Sequence, residues 1–444
     1  MTTPKLHGYQ KDAVNWVLAN YGAGLFLPPG LGKTLITLSS IDILKKANDI
    51  DCVIVIAPLR VVYMVWQQEI EKWGFNLSSV ILHGKDKDMA LRKTVDIYLT
   101  NPESLPWLKD NMKRFIGKNL MIVCDESTVF KNHQSLRFNC IKSIIKYAKR
   151  RLILTGTPVP NGLMQLWPQM FIIDNGRRLG VNITRYRSKY FVKDYYGYNY
   201  TLIPGADTLI YNQINDIVMH KDSSELDLPE LMYNNIYIQL PDSARKVYKE
   251  MKNHLITEYE EADLIAFNAA AKAIKLKQIA NGNVYDEFGK SINVHREKLN
   301  AISELIESLA GRPLLVAYEY LNDLAMLKHE FNAPHIGGGG DRREEAIVVS
   351  NWNKGLIPVL LIQPRAGGHG LNLQHGGCHD VVWYSITFDL ELYEQLNHRV
   401  FRQGVKNSVT IHHVVCKDTV DEEVINALAH KSSVQNALLD SVLK

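Results

Sequence analysis

Short apolar runs that alternate with helical patterns constrain the fold of this 444-residue chain more than any other feature. Such runs recur between residues 24 and 156 and again between residues 297 and 416. Strands that alternate with helices build parallel sheets, so the sequence predicts two α/β lobes. The predicted strands are Leu25–Leu27, Val53–Ala57, Ile97–Thr100, Met121–Asp125 and Leu152–Thr155 in the first lobe, and Leu314–Ala317, Val359–Ile362, Val381–Tyr384 and Val409–Val415 in the second.

The segment between the two lobes differs in composition. It is rich in Tyr and Asn near residues 186–211 and rich in Ala and Lys near residues 258–280. We interpret it as insertions and expect an N-terminal lobe at 1–165, helical or irregular insertions at 166–296 and a C-terminal lobe at 297–444. An amphipathic helix is predicted over Val420–Leu443, with Thr419 and Glu422 as a capping box.

Composition excludes a membrane protein. The hydrophobic fraction of 46% and the charged fraction of 22% are ordinary for a globular protein, and no apolar run approaches the length of a membrane span. The five cysteines are scattered and form no CxxC pair, which predicts a reducing compartment, the cytoplasm. A net charge of +4 permits a nucleic-acid partner without arguing for one.

A glycine-lysine loop follows the first predicted strand and opens a helix at Gly30–Thr34. Glycines let the backbone wrap closely around phosphate, and the N–H groups of a helix N-terminus donate to it. Lys33 can reach the β- and γ-phosphates of a nucleotide, and Thr34 can ligate Mg²⁺. The general pattern has a further glycine where this chain has Leu27. For this motif taken alone, the alternative interpretation is therefore a glycine-rich turn between a strand and a helix that binds no ligand.

Two adjacent carboxylates end the fourth predicted strand. At this position, Asp125 suits Mg²⁺ and Glu126 suits the orientation or activation of an attacking water. The alternative is an ordinary pair of solvated acids at the transition from strand to loop. The glycine-lysine loop in the same strand order favours the catalytic interpretation.

A second group of polar residues lies near the other end of the chain. Gln395, Arg399 and Arg402 fall at i, i+4 and i+7, which predicts one face of one helix. Arginines placed this way can stabilise charge that develops on a γ-phosphate. The alternative is a solvated basic helix face.

In order along the chain, these segments resemble the motifs of helicase superfamily two, and within it the SWI/SNF-type DNA translocases. The most specific matches are the Leu-Thr-Gly-Thr-Pro string at Leu154–Pro158, the Arg-Ala-Gly-Gly string that opens Arg365–Leu373, and the final glutamine–arginine–arginine spacing. Ser127 stands where the family has Ala or Gly, and His369 replaces an apolar residue. Further segments resemble family motifs at Leu6–Gln10, at Ala57–Leu59 with Trp66, Glu69 and Trp73, at Thr100–Glu103, and at Asn161.

The resemblance implies two tandem RecA-like parallel-sheet lobes with helical insertions, ATP and Mg²⁺ as cofactors, and DNA as the partner. It gives catalytic roles to Lys33, Asp125, Glu126, Arg399 and Arg402. It places at ATP the residues Gln10, Gly30, Leu31, Gly32, Lys33, Thr34, Gly370, Arg399 and Arg402. It assigns Thr34 and Asp125 as ligands of Mg²⁺. It places at the nucleic acid the residues Arg60, Thr100, Asn101, Arg365, His369 and Asn372.

The function that this resemblance implies is a DNA-dependent ATPase that translocates along double-stranded DNA. Double-stranded or branched DNA is the expected partner, and a nuclease or another replication or recombination protein is a candidate second partner. The alternatives are a strand-separating DNA or RNA helicase and a non-hydrolysing clamp or nuclease-recruiting scaffold. We expect a compact bacterial or phage-encoded member that works in the cytoplasm of the bacterium or the infected host.

Three further groups of residues have an open interpretation. A tyrosine cluster can stack bases or pack within an insertion. A lysine cluster can attract DNA or form a solvated helix face. A histidine–cysteine group suggests a metal but lacks a fourth ligand. The groups are Tyr195, Tyr196, Tyr198 and Tyr200; Lys272, Lys275 and Lys277; and His375, Cys378 and His379.

Overall fold

The structure, a computed structural model, describes residues 6–193, 200–221, 229–257, 273–285, 290–367, 371, 373–402, 405 and 407–441. The chain divides into two compact units, Met1–Leu226 with Lys431–Lys444, and Asp227–His430. Each unit contains its own parallel sheet with helices. The predicted α/β class, with two parallel-sheet lobes that follow one another along the chain, is confirmed.

The first unit is built on a seven-stranded sheet. The strands of this unit, inside and outside that sheet, are β1 (Gly22–Phe26), β2 (Cys52–Ile56), β3 (Ser79–Ile81), β4 (Ile97–Thr100), β5 (Leu120–Asp125), β6 (Ala148–Thr155), β7 (Phe191–Lys193), β8 (Tyr200–Leu202) and β9 (Val218–His220). The order across the sheet is β3-β4-β2-β5-β6-β1-β9, and every neighbouring pair is parallel. Strands β7 and β8 form a separate antiparallel pair.

Helices accompany the strands of the first unit because a parallel connection needs a crossover. They are α1 (Gly8–Ala19), α2 (Lys33–Lys46), α3 (Leu59–Met64), α4 (Trp66–Lys72), α5 (Lys87–Arg92), α6 (Leu105–Asn111), α7 (Leu136–Ile144), α8 (Leu166–Asp174), α9 (Ile183–Tyr190) and α10 (Ala206–Ile214). Every residue of β2 is buried, and β5 is buried up to its last residue. Such continuous burial is typical of central parallel strands that are covered on both faces.

The second unit has a six-stranded sheet. The strands of this unit, inside and outside that sheet, are β10 (Leu231–Ile238), β11 (Asn283–Tyr285), β12 (Ser291–Asn293), β13 (Leu314–Ala317), β14 (His335–Ile336), β15 (Val359–Ile362), β16 (Asp380–Trp383) and β17 (Val409–Cys416). The order is β10-β17-β16-β13-β15-β14, again parallel throughout, with β11 and β12 as a separate antiparallel pair. The later helices are α11 (Asp242–Thr257), α12 (Glu297–Ser308), α13 (Leu321–Phe331), α14 (Arg342–Asn353), α15 (Pro364–Gly367), α16 (Leu390–Val400) and α17 (Val420–Ser441), and residues 273–281 are also helical.

Each strand that the apolar runs predicted is present, with small shifts at its ends. The strands that the sequence did not predict are β3, β9, β10 and β14 within the two sheets. Strands β3, β9 and β14 are only two or three residues long, and β10 is a mostly exposed strand with a polar centre. The interval 166–296 supplies β9 to the first sheet and β10 to the second. The predicted domain boundaries stay a prediction.

The last helix starts as the sequence predicted but with a different cap. The Thr419 hydroxyl accepts from the backbone N–H of Asp421 and donates to the carbonyl of Cys416. The N–H of Glu422 bonds to the Thr419 carbonyl instead of its side chain, so the predicted capping box is wrong. Among the helices of the described ranges, none has the length and apolar character that a membrane span requires.

Candidate active site

The glycine-lysine loop connects the end of β1 to the start of α2. Gly30 and Gly32 have φ of 95° and 76°, a backbone conformation that glycine adopts at little cost. Because α2 begins at Lys33, the N–H groups of its first turn lie at this loop. A Cβ on Gly32 would come within 2.6 Å of the Gln10 side-chain nitrogen, so a larger residue here would have to displace the end of that side chain.

Gln10 lies directly against the loop and is 3% exposed. Its amide nitrogen donates to the Leu31 carbonyl at 3.4 Å, and its amide oxygen accepts from the backbone N–H of His7 at 3.0 Å. The structure thus brings together two segments that the sequence separates by twenty residues. The predicted contact of Gln10 with ATP stays a prediction.

Lys33 points its ammonium into the loop. Nζ donates to the carbonyls of Leu27 at 2.6 Å and Pro28 at 3.3 Å. The positive charge also acts on Asp125 and Glu126, where it opposes a rise in pKa. Lys33 therefore lies close to both predicted phosphate and predicted metal positions, and Thr34 follows it, half-buried, in the first turn of α2.

The two carboxylates are half-buried where β5 ends. Desolvation by burial raises the pKa of Asp125 and of Glu126, and the Lys33 charge only partly opposes it. The indole N–H of Trp66, which is fully buried, donates to Asp125 Oδ2 at 3.0 Å. Glu126 has a φ of 65°, a conformation that is uncommon for a residue with a side chain and that persists only where its surroundings enforce it.

A chain of hydrogen bonds joins Glu126 to the Leu-Thr-Gly-Thr-Pro segment at the end of β6. The Thr155 hydroxyl donates to Glu126 Oε1 at 2.9 Å and accepts from the backbone N–H of Thr157 at 3.1 Å. A second hydroxyl, that of Thr128, donates to the same oxygen at 3.2 Å. The carboxylate is therefore oriented by a neighbouring loop as well as by its own.

The same segment packs against the glycine-lysine loop. The backbone N–H of Leu27 donates to the Thr155 carbonyl at 2.9 Å. A Cβ on Gly156 would lie 3.1 Å from the Pro29 ring and 3.3 Å from the Leu27 carbonyl, so the two loops approach as closely as glycine permits. The carboxyl ends of β5, β6 and β1, which are neighbours in the sheet, thus carry one continuous site.

The donor set of this site fits ATP and Mg²⁺. The N–H groups of α2 and the Lys33 ammonium are phosphate donors. The Asp125 carboxylate and the Thr34 hydroxyl are the oxygen ligands that Mg²⁺ prefers. Two adjacent carboxyls whose pKa is raised by burial would gain from a neighbouring cation, which favours their ionised form. The assignment of individual residues to the metal stays a prediction.

The predicted arginine face is only partly present in the second unit. Gln395 and Arg399 lie one turn apart on α16, but this helix ends at Val400, so Arg402 lies beyond it. The i+7 placement of Arg402 on one helix face is therefore wrong. Gln395 is buried, and Arg399 Nη1 donates to the Leu371 carbonyl at 3.2 Å. The sequence overestimated the helix because its pattern does not mark the turn at Phe401.

The residues predicted to contact nucleic acid occupy different surroundings. Thr100 and Asn101 are buried, where the Thr100 hydroxyl donates to the Leu82 carbonyl and the Asn101 amide bonds to Glu103 and Ser104. Neither side chain reaches the surface. The side chains that do are Arg60 in part, on α3, and Arg365, on α15. His369, Gly370 and Asn372 lie outside the described residues.

The structure describes some members of the lysine cluster and of the tyrosine cluster. Lys277 is 2% exposed, forms an ion pair with Glu319 and lies over the ring of Phe388, so it is neither a DNA contact nor part of a solvated face. Tyr200 lies under the Arg187 guanidinium. Lys272, Tyr195, Tyr196 and Tyr198 lie outside the described residues.

In the part of the chain that the structure describes, no group of three or more His, Cys, Asp or Glu side chains is placed to hold a metal.

Replacement of Trp66 by Phe tests the indole contact to Asp125, which sequence reasoning missed because 59 positions separate the two residues. Without the N–H donor, the pKa of Asp125 should rise further and Mg²⁺ should bind more weakly. We expect a Mg²⁺ concentration for half-maximal ATPase that is higher by about 10–100-fold, the usual effect of removing a residue that orients a metal ligand. A Mg²⁺ titration of ATPase rate checks this, and an unchanged midpoint would contradict it. Trp73→Phe on the same segment, whose indole bonds Glu69, is the control.

Comparison with known proteins gives a consistent family. Residues 9–302 match the SNF2-related domain and residues 297–404 match the helicase conserved C-terminal domain. Putative protein p41 of Acyrthosiphon pisum secondary endosymbiont phage 1 is 32% identical over 98% of both chains. The ISWI chromatin-remodeling complex ATPase ISW2 of Saccharomyces cerevisiae is 24% identical over 96% of this chain, which spans 40% of ISW2.

Among solved structures, the Sulfolobus solfataricus SWI2/SNF2 ATPase core in complex with double-stranded DNA is similar over 99% of this chain and 94% of that chain, at 23% identity and a TM-score of 0.47. The family match rests on the two domains, which together extend from residue 9 to residue 404. The chain belongs to the SNF2-related family, the SWI/SNF-type DNA-dependent ATPases of helicase superfamily two.

Proposed function

We propose that the protein hydrolyses ATP to move along double-stranded DNA or to remodel protein–DNA complexes. The observation that carries the proposal is the hydrogen-bond chain from the Thr157 backbone through Thr155 to Glu126. It connects the predicted catalytic carboxylate to the loop that follows β6. A change in the surroundings of this carboxylate during hydrolysis would therefore also shift that loop. Coupling of ATP hydrolysis to motion requires such a connection.

The chemistry assigns a role to each group at the site. The helix α2 N-terminus and Lys33 bind the phosphates, and Thr34 and Asp125 hold Mg²⁺, which neutralises phosphate charge. Glu126 accepts a proton from the attacking water and must be ionised to do so. Arg399 and Arg402, which belong to the second unit, are proposed to stabilise charge at the γ-phosphate.

Contacts to DNA are proposed at its backbone. A translocase passes over every sequence, so phosphate contacts suit it better than contacts to base edges. Arg60 and Arg365, whose side chains reach the surface, are the best supported of the predicted contacts. For Thr100 and Asn101 the proposal involves the loop after β4, whose shape their internal bonds fix.

The similarity to a phage protein over nearly its full length supports a role in phage or bacterial DNA replication, recombination or repair. Such a role would place the protein inside a bacterial cell. A nuclease or another replication protein is the class of partner that these processes would supply.

The deciding experiment measures ATP turnover with duplex DNA, forked DNA, single-stranded DNA and RNA. We expect duplex DNA to raise the rate at least about tenfold, a change of roughly 1.4 kcal/mol in the barrier. No stimulation by any duplex would overturn the proposal. Displacement of a labelled strand from the fork would favour a strand-separating helicase instead, and DNA binding without turnover would favour a clamp.

A further inference from the structure

Gln169, on α8, makes three hydrogen bonds in the interior of the first unit and is fully buried. Its amide oxygen accepts from the Ser127 hydroxyl at 2.7 Å. Its amide nitrogen donates to the Pro158 carbonyl at 2.6 Å and to the Gln165 carbonyl at 3.1 Å. One side chain thus connects the loop after β5 to the loop after β6.

The orientation of this amide follows from its partners. Both carbonyls are acceptors only, so the nitrogen must face them with its two N–H groups. The hydroxyl of Ser127 can donate, and it does so to the remaining oxygen. A rotated amide would set its oxygen against two carbonyl oxygens, so the observed arrangement is the one that satisfies every group.

Both ends of the bridge adjoin the catalytic carboxylate. Ser127 directly follows Glu126, whose backbone holds a conformation that its surroundings must enforce. Pro158 belongs to the loop that carries Thr155, the residue that donates to the Glu126 carboxylate. The two loops are therefore joined twice, once at the carboxylate through Thr155 and once behind it through Gln169.

We propose that Gln169 is a positioning residue for hydrolysis, which fixes the Glu126 loop against the Thr155–Pro158 segment through Ser127. The inference rests on the proposed function of Glu126 and deepens it. The bridge depends on a hydroxyl at position 127, where the family has Ala or Gly. Neither Ala nor Gly has a side-chain donor, so only the Ser127 of this chain can donate to the Gln169 amide oxygen from this position.

The test compares Gln169→Met, which is close in shape but has no amide, with Ser127→Ala and the double variant. We expect kcat of Gln169→Met, measured with saturating duplex DNA, to fall about 10–100-fold with KM for ATP unchanged, because a small misplacement of a reacting group costs up to this much. Ser127→Ala should have a smaller effect, since the bonds to Pro158 and Gln165 remain. The double variant should be no slower than Gln169→Met, because both residues act through one bridge.

Tyr186→Phe is the matched control. It removes one buried hydrogen bond of the same unit, from the Tyr186 hydroxyl to the Leu163 carbonyl, and leaves all three partners of the Gln169 amide in place. Both it and Gln169→Met should lower Tm by a few degrees, but only Gln169→Met should lower kcat. Equal losses of kcat in the two variants, or an unchanged kcat in Gln169→Met, would overturn the inference.

Two further outcomes separate this inference from the function on which it rests. If Gln169→Met does not fold, Ser127→Ala decides: a lower kcat at wild-type Tm supports the bridge, and a wild-type kcat overturns it. A wild-type chain that hydrolyses no ATP would overturn the proposed function and this inference together. Wild-type turnover that Gln169→Met leaves intact would overturn this inference alone.

Discussion

Glu126→Gln is expected to abolish most ATP turnover and at the same time to raise Tm. A proton acceptor at the attacking water contributes about 10²–10⁴-fold to rate, and the amide cannot serve as one. The amide oxygen can still accept from Thr155 and Thr128, so the loop should keep its shape. Turnover with duplex DNA, together with ATP binding by the same variant, measures the effect. Wild-type-like hydrolysis would refute the assignment of the base.

The rise in Tm follows from the raised pKa of Glu126. A carboxyl whose pKa is higher in the folded protein than in the unfolded chain stabilises the fold below its unfolded pKa, and this contribution is lost as pH rises through the folded pKa. At neutral pH the wild-type carboxylate therefore destabilises the fold, and the neutral amide removes this penalty. The difference in Tm between variant and wild type should shrink as the pH is lowered.

Glu71→Gln provides the control for both measurements. Glu71 is exposed on α4 of the same unit, so this isosteric change removes a carboxylate that lies outside the predicted site. We expect neither turnover nor Tm to change. A Tm that is lower in Glu126→Gln than in wild type would contradict the link between the raised pKa and stability.

Lys298→Met is expected to destabilise the second unit strongly. The Lys298 side chain is 0% exposed, forms an ion pair with Asp421 at 2.7 Å, and donates to Asn281 Oδ1 and to the Tyr384 carbonyl, each at 3.0 Å. Its loss leaves the Asp421 carboxylate buried without its cation. Breaking a buried pair in this way costs about 3–5 kcal/mol. Denaturant unfolding, followed by circular dichroism, measures the free energy.

Two further variants sharpen this test. Lys298→Met/Asp421→Asn removes both charges and should recover part of the loss, because the penalty comes from the isolated charge. Lys354→Met, at an exposed position after α14, should leave the free energy of unfolding nearly unchanged. Equal unfolding of Lys298→Met and wild type would show that the pair contributes little.

The sequence predicted the sheets well because apolar runs report burial directly. Each central strand contains an apolar run that predicts it. The run that predicts β5 also predicts that Asp125 and Glu126 lie at the end of a strand. The short strands at the edges carry too few residues to form a pattern. In β10, Asn234 and Asn235 bond His412 and His413 of the adjacent strand, and such pairing has no local signal.

The site could be predicted only as far as its local motifs extend. Lys33 and Glu126 follow from loops whose residue types suit phosphate chemistry. The contacts of Gln169 to Ser127 and of Trp66 to Asp125 depend on tertiary packing, which neither periodicity nor propensity encodes. Arg402 illustrates the opposite error, because a spacing that suits a helix does not show that the helix continues.

The adjacency of β5, β6 and β1 has a consequence for how the chain tolerates change in length. Neighbouring strands lie about 4.8 Å apart, so the carboxyl ends of these three strands span roughly 10 Å. Site residues that are scattered in sequence between Leu27 and Pro158 therefore form one strip along this edge, where the carboxyl ends of the strands lie. An inserted segment at the opposite edge, such as the turn at Asn48 and Asp49 before β2, would leave this strip intact. One residue added inside β5 would instead turn its side chains to the other face and remove Glu126 from reach of Thr155.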